Sequence, residues 1–277
     1  MLDFSIITPS LNMSEYLKRA VASVKDQDVL YEHIIIDGGS TDGTIEYLEN
    51  ENNIKLFTGK DNGMYDAINK GFINAKGKYI GQLNCDEQYL PGILKMVKQF
   101  FETYPDIDII YGNKINIYPD GTFNSFKKSF NLRKNYIIAS SLYIYTSSLF
   151  YRRKILDEGN MFNPEYKSVG DVDYILRLIN KNYKFKHVNS FFSVFTITGN
   201  NLSRNEISKT ERKKIIKKYY HKPLFLLFFI NILRILEKTF EGAYFISLPH
   251  SYFIYTDNLN VRSEFKINNK RFIPDWN

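Results

Sequence analysis

Cysteine and tryptophan each occur once in this chain of 277 residues. The lone thiol, Cys85, excludes an internal disulfide framework and points to a reducing compartment. No stretch supplies the roughly 18 consecutive apolar residues of a membrane-spanning helix. The start, Met1-Leu2-Asp3-Phe4-Ser5, lacks a basic segment followed by an apolar core, so no signal peptide is expected. No internal repeat is present. What the chain does have is 44% hydrophobic residues, enough for a substantial core, and the length suits one domain plus an appendage. Aromatics reach 16%, with 22 Phe and 21 Tyr. The formal charge of +7 and pI of about 9.1 favour an anionic partner, for which nucleic acid, nucleotide phosphates and an anionic membrane surface all qualify.

The stretch Tyr79-Ile80-Gly81-Gln82-Leu83-Asn84-Cys85-Asp86-Glu87-Gln88-Tyr89 organises the rest. Tyr79 to Leu83 reads as a buried strand, and the polarity then switches abruptly. A strand that ends in adjacent carboxylates delivers charge to the carboxyl edge of a sheet, where open α/β sheets bind ligands. Hard carboxylate oxygens there suit a divalent cation shared with substrate phosphates. A solvated loop is the plainer alternative.

Phe4 to Thr8 reads as a first strand, stopped by Pro9, and Ser14 can cap a helix bearing Leu17, Ala20, Val21 and Val24. His33 to Ile36, Ile54 to Phe57 and Asp108 to Gly112 read as further strands. Helices run through Ile45 and Leu48, Met64 to Phe72, and Ile93 to Phe101. Strands alternating with helical patterns argue for a mostly parallel sheet. Past Asn113 the pattern changes. Lys114 to Tyr118 and Thr122 to Lys127 flank Pro119-Asp120-Gly121 as a hairpin. Ser140 to Tyr151 contains a strand, Asp171 to Ile179 a helix, and Lys184 to His187 and Phe191 to Ile197 two strands. The expected organisation is a catalytic domain over 1–204, in halves 1–113 and 114–204, and an extension over 205–277. In that extension seven basic residues between Lys209 and Lys222 precede the apolar run Leu224 to Leu236. The run suits a helix lying in a membrane interface; a helix packed on the domain or a dimer contact is the alternative. Basic residues beside an apolar helix, rather than along an aromatic platform, argue against nucleic acid.

Three polar clusters follow strands. Asp37-Gly38-Gly39-Ser40 joins a strand to a helix, where glycines allow close backbone approach and a helix N-terminus favours anions; a plain turn is the alternative. Asp61, Gly63, Tyr65, Asp66, Asn69 and Lys70 form the second, with a solvated helix face as the alternative. Asn84 to Glu87 form the third. Farther on, Gly170-Asp171-Val172-Asp173 opens a helix; capping accounts for one Asp and leaves the other for proton transfer.

In order, Thr8-Pro9-Ser10-Leu11-Asn12, Asp37 to Thr44, Lys60 to Gly71, Asn84 to Glu87 and Gly170 to Asp173 resemble the signatures of a family 2 glycosyltransferase. The resemblance covers about the first two thirds of the chain. Met64 to Gly71 is similar to members that build bacterial O-antigen, capsule and exopolysaccharide. It implies a GT-A, Rossmann-like α/β fold with helices flanking a mostly parallel sheet and a helical C-terminal extension. It implies inverting, metal-dependent sugar transfer from a nucleotide-diphosphate donor, UDP-sugar favoured, to a saccharide acceptor. The implied nucleotide and donor residues are Thr8, Pro9, Asp37, Gly39, Asp61, Asn69, Lys70, Asn84 and Cys85. Asp86 would hold Mn²⁺ or Mg²⁺, with Glu87 as fallback. Asp171 matches the general base, with Asp173 or Glu165 next. Two positions depart from the pattern: the DXD-like triplet begins with Asn84, and Gly38 stands where many members carry a second Asp. A nucleotide-sugar-binding module that has lost catalysis is the competing reading. With the basic, amphipathic extension, the expected setting is the inner face of the cell membrane, peripherally bound, with a polyprenyl-diphosphate-linked acceptor and a homo-oligomer as a further option.

Overall fold

The computed structural model describes residues 2–199, 206–242 and 249–267. Its first half follows the alternating pattern. Strands β1 (Phe4–Ser10), β2 (Tyr31–Asp37), β3 (Ile54–Thr58) and β4 (Tyr79–Gln82) alternate with helices α1 (Ser14–Lys25), α2 (Thr44–Glu49) and α3 (Met64–Asn74). Next come β5 (Glu87–Tyr89), α4 (Ile93–Thr103), β6 (Ile109–Ile117), β7 (Phe123–Lys127), α5 (Lys134–Ala139), β8 (Leu149–Arg152), α6 (Lys154–Asp157), α7 (Gly170–Asn180) and β9 (Phe185–Thr196). Helices α8 (Glu206–Tyr219) and α9 (Leu226–Phe240) and strands β10 (Ser251–Ile254) and β11 (Ser263–Lys266) complete the described chain.

The main sheet runs β3-β2-β1-β4-β8-β6-β9-β5, with β7 beside β6. Its first four strands are parallel. Beyond β4 it is mixed: β8 is antiparallel to both β4 and β6, while β6 and β9 are parallel. The parallel register sets Ser10 beside Asp37 and Asp37 beside Thr58, so the polar clusters emerge at one sheet edge. The apolar residues at helical spacing on α1, namely Leu17, Ala20, Val21 and Val24, are all buried.

Several local expectations change. Strand β1 continues through Pro9, which pairs with Ile36. Pairing with β4 has already ended at Ile7 and Gln82, so the missing proline N–H leaves no β4 acceptor unmatched. Ser14 does not cap α1; its N–H donates to Asp42 Oδ2 at 2.9 Å, tying the helix start to the loop after β2. Gly112 does not end a strand. A Cβ there would lie 2.5 Å from the Phe192 ring, so glycine lets β6 run past that ring as one strand. Likewise the two short strands expected over 184–197 are one, β9, whose register with β6 shifts around Asn113. Strand β5 was hidden among the carboxylates.

The C-terminal segment does not simply trail away. Ile215 and Tyr220 are buried in the same core as Tyr65, Tyr174 and Ile175. The β10–β11 hairpin returns to the first half, where the Arg262 guanidinium donates to Asp26 and to the carbonyl of Tyr89, and Tyr255 and Gln88 exchange backbone and amide hydrogen bonds.

Candidate active site

The loops after β1 and β2 form one cross-linked rim. Asn12 sits at φ 51, in the left-handed region that asparagine tolerates. From there its N–H donates to Ser40 Oγ at 2.8 Å, and its Oδ1 accepts from the Thr41 N–H at 2.8 Å. Asp37 is fully buried and organises the turn. Its Oδ1 accepts from the N–H groups of Gly39 and Ser40 at 2.9 and 2.7 Å, and its Oδ2 from the Ser40 hydroxyl at 2.7 Å. Gly39 adopts φ 97, which a side chain would resist.

Asp61 joins this rim from the third loop. Its Oδ1 accepts from the Gly63 N–H at 2.8 Å, and its Oδ2 lies 3.0 Å from where a Cβ on Gly38 would be. The Asp61 carboxylate therefore occupies the space that a carboxylate on residue 38 would need. Leu11, 56% exposed, lines the same spot, 3.4 Å from that Cβ position.

Asn84, Cys85 and Asp86 follow β4. The Asn84 N–H donates to Glu87 Oε2 at 2.9 Å, and its side-chain Oδ1 accepts from Gln82 Nε2 at 3.3 Å. Asp86 is half-buried, and its carbonyl accepts from the Thr196 N–H at 2.8 Å. Glu87 points inward. It is 3% exposed, and burial raises its pKa against the opposing pull of the Lys114 ammonium. It braces the turn from inside and does not present a fallback metal ligand.

Not every candidate presents its side chain to this edge. Thr8 is buried, with Oγ1 hydrogen-bonded to His33 Nε2 at 2.9 Å, and burial holds that imidazole neutral, its pKa pushed down to about 3. The Cys85 thiol packs with Leu17, Val21, Ile35 and Leu48 and donates to the Pro9 carbonyl at 3.3 Å. Burial pushes it up to about 12, so it stays a protonated thiol. Asn69 clips α3 to the other half: Nδ2 donates to the Phe162 carbonyl at 2.9 Å and Oδ1 accepts from its N–H at 2.8 Å. Lys70 pairs with Asp66 at 3.2 Å and donates to the Lys60 carbonyl at 3.1 Å.

Asp171 opens α7 and reaches α3. Its Oδ1 accepts from the Val172 N–H at 2.8 Å and lies 3.5 Å from the Tyr65 hydroxyl, which also donates to the Ser168 carbonyl at 3.1 Å. Gly170 permits this approach, since a Cβ there would sit 2.6 Å from the Tyr65 ring. Burial pushes the Asp171 carboxyl up to about 6, and hydrogen bonds from Val172 and Tyr65 only partly offset it. Asp173 behaves oppositely. Despite burial, hydrogen bonds from Lys218, Arg177 and Tyr219 hold it below the ordinary carboxylate value. It is a strut between α7 and α8, and Glu165 is exposed.

The segment leading into α3 thus touches both sides: Asp61, just before the helix, meets Gly38, and Tyr65 in its first turn meets Asp171. Glu211 of α8, whose carboxylate accepts from the loop before α7, is a residue that pattern alone does not single out, because its contacts are long-range.

A parallel half-sheet with three polar loops at its carboxyl edge, joined to a mixed half that supplies a raised-pKa carboxylate, defines a sugar-transferase-like α/β domain. The family model described as glycosyl transferase family 2 matches residues 5–159, more than half of the chain, and the chain belongs to that family. Asp171 and α7–α9 lie beyond the matched segment. Among relatives, the chondroitin synthase of Pasteurella multocida is 27% identical over 222 residues, 76% of this chain and 22% of its own length. The chondroitin synthase of Escherichia coli is 28% identical over 237 residues, 79% of this chain and 34% of its own. The chain therefore spans about a fifth to a third of those relatives. The minor teichoic acid biosynthesis protein GgaA of Bacillus subtilis is 28% identical over 204 residues, 66% of this chain and 44% of that protein. The fold is GT-A. S. aureus TarS 1-349 in complex with UDP superposes with TM-score 0.59 at 18% identity, covering 89% of this chain and 76% of that one. A mannosyltransferase from Pyrobaculum calidifontis in complex with GDP-Man and Mn²⁺ gives TM-score 0.58 at 14% identity, with coverages of 89% and 76%.

Proposed function

We propose that the protein is an inverting glycosyltransferase that moves a sugar from a nucleotide-diphosphate donor, UDP-sugar favoured, to a saccharide acceptor in bacterial surface polysaccharide synthesis. The observation that carries this reading is the short segment Asp61 to Tyr65 entering α3, whose one end meets Gly38 and whose other meets Asp171. The donor side would hold the nucleotide and diphosphate, and Asp171 would face the acceptor. Asp171 takes the proton of the acceptor hydroxyl as that oxygen bonds to the anomeric carbon, and the bond from that carbon to the diphosphate oxygen breaks. Attack from the face opposite the leaving group inverts the centre. A carboxylate near pKa 6 is suited to this, being deprotonated at neutral pH yet basic enough to hold a proton.

Among the described residues no three His, Cys, Asp or Glu side chains converge as a ready-made metal cage. One carboxylate, Asp86, at the loop after β4 fits a hard cation completed by donor phosphate oxygens and water, the usual arrangement for Mg²⁺. Bound there, Mn²⁺ or Mg²⁺ would neutralise charge gathering on the diphosphate. Asp86→Ala is expected to abolish cation-dependent donor turnover and leave the thermal transition near that of the parent. Near-normal turnover in EDTA would remove the metal assignment. The competing reading, a nucleotide-sugar-binding module without catalysis, is favoured by Asn84 in place of an acidic residue; that form would bind donor and never turn it over.

The Gly38–Asp61 contact gives a second expectation. Gly38→Asp puts a Cβ 3.0 Å from Asp61 Oδ2 and a second carboxylate beside the first, so UDP affinity should drop about tenfold or more, since like charges in partly buried sites cost on this scale. Adding Asp61→Gly should restore it. If the single variant binds UDP normally, Asp61 is not the carboxylate that faces the nucleotide.

We further read α9 as a membrane-surface element. No helix among the described residues is long and apolar enough to cross a bilayer. Helix α9 packs on the core through Leu226, Leu227 and Ile230, while Phe228, Phe229, Leu233 and Phe240 are 66%, 55%, 56% and 88% exposed. Lys213, Lys214 and Lys217 of α8 and Lys222, shortly before α9 in the sequence, are exposed. An apolar face with basic neighbours matches an anionic leaflet, which would bring a lipid-linked acceptor, of polyprenyl-diphosphate type, to Asp171 on the inner face of the membrane.

A further inference from the structure

Helix α8 does more than lead to α9. Glu211, at its middle, is 6% exposed, and its carboxylate is taken up by backbone amides. Its Oε1 accepts from the Lys167 N–H at 2.8 Å, and its Oε2 from the N–H groups of Ser168 and Val169 at 3.0 and 3.1 Å. Those three amides belong to the loop that runs straight into Gly170 and Asp171. Three successive N–H donors closing on one buried carboxylate fix the path of a backbone segment as few side chains can. The Tyr65 hydroxyl also holds the Ser168 carbonyl at 3.1 Å. The loop is therefore held by two helices, by α3 through its carbonyl and by α8 through its amides.

The neighbouring residue reinforces the grip. The Arg212 guanidinium donates to the carbonyls of Ile137, Ile138 and Ser140, and its positive charge acts on Asp171. So α8 is anchored to α5 through Arg212 while Glu211 holds the loop before α7.

We propose that Glu211 is a positioning residue for Asp171, which makes α8 part of the acceptor-side machinery. The proposal rests on the reading of Asp171 as the general base. Glu211 touches no reacting atom; it acts by holding residues 167–169, and through them the direction in which the Asp171 carboxylate points. Displacing a catalytic group by about 1 Å can cost on the order of 10² in rate.

The test uses the full chain and steady-state transfer, with UDP binding and thermal melting measured in parallel. Glu211→Ala is expected to lower kcat about 10²-fold while the donor KM and UDP affinity stay at parental values. Glu211→Gln retains one carbonyl acceptor for two of the three amides and should recover part of kcat. If Glu211→Ala proves too unstable to assay, Glu211→Gln alone must show a kcat loss at unchanged UDP affinity. Lys218→Met, which removes an ion pair between α7 and α8 at 2.8 Å, serves as the control for a weakened interface; it should lower the melting temperature and keep kcat near parental. The proposal is overturned if the Glu211 variants keep parental kcat while Asp171→Asn is inactive, or if Lys218→Met loses kcat as steeply at an equal loss of melting temperature. Retained turnover in Asp171→Asn itself would instead remove the base assignment on which the proposal stands.

Discussion

Asp171→Asn is expected to lower kcat by about 10²- to 10⁴-fold, the range typical of a general base, with UDP affinity unchanged and thermal stability raised above neutral pH. The first half follows from position. Asp171 is half-buried at the start of α7, within reach of the Tyr65 hydroxyl, and Asn preserves its size and its acceptor for the Val172 N–H at 2.8 Å. The second half follows from linkage. The folded pKa of about 6 stands above the ordinary 3.8 because burial disfavours the charge. Any stabilising effect of this group is present below pH 4 and is lost as pH rises through 6, so above 6 the folded protein carries an unfavourable carboxylate. The difference of about two units corresponds to up to about 3 kcal/mol, and Asn removes it. A rise of several degrees in melting temperature at pH 8, vanishing near pH 4, is expected. In the parent protein kcat should fall on the acid side with an apparent pKa near 6. A variant that loses less than about tenfold would fall short of a general base, and with Asp173 committed to Arg177, Lys218 and Tyr219 no obvious substitute stands at this helix start.

Replacing Phe228, Phe229, Leu233 and Leu236 together by Gln is expected to release the protein from anionic vesicles. All four are exposed, so the fold should tolerate the change. Each such side chain contributes about 1.5–3 kcal/mol when fully withdrawn from water, so even half-immersed the set is worth several kcal/mol and the partition constant should fall at least about 10³-fold. Binding of the parent should weaken with salt, because Lys213, Lys214 and Lys217 of α8 and Lys222 add about 1 kcal/mol each near an anionic leaflet. Flotation with phosphatidylglycerol-containing liposomes reads both effects. A parent that stays in solution at low salt, together with a dimer in light scattering that the four substitutions dissociate, would assign this face to a subunit contact. Truncation before residue 205 is a poor substitute for surface variants, because Ile215 and Tyr220 belong to the main core.

Much of this architecture was legible in the residues. Alternating apolar runs and turn signals placed β1 to β4 and the helices between them, because a parallel sheet leaves near-continuous β-branched strands. The loops at Asp37 and Asp86 stood out because charge following a buried strand has few explanations. What could not be read was direction. Thr8, Cys85 and Asn69 look like site residues by position, yet all three face structural partners, and only packing decides that. Asp171 and Asp173 are two residues apart on one helix and indistinguishable by type; Lys218 and Tyr219, more than forty positions later, separate them. Glu211 was invisible for the same reason. It sits within a run of basic residues, and its partners are the amides of residues 167–169.

One measurement tests the transferase reading most directly: release of UDP from UDP-sugars in Mn²⁺, with and without a lipid-linked saccharide acceptor, and the anomeric configuration of the product by NMR. Acceptor-dependent release with inversion is the predicted result. Tight UDP binding with no release from any sugar nucleotide, across UDP-, GDP- and dTDP-sugars and acceptors, would contradict it and leave a binding module; a product that retains configuration would contradict the single-displacement role given to Asp171.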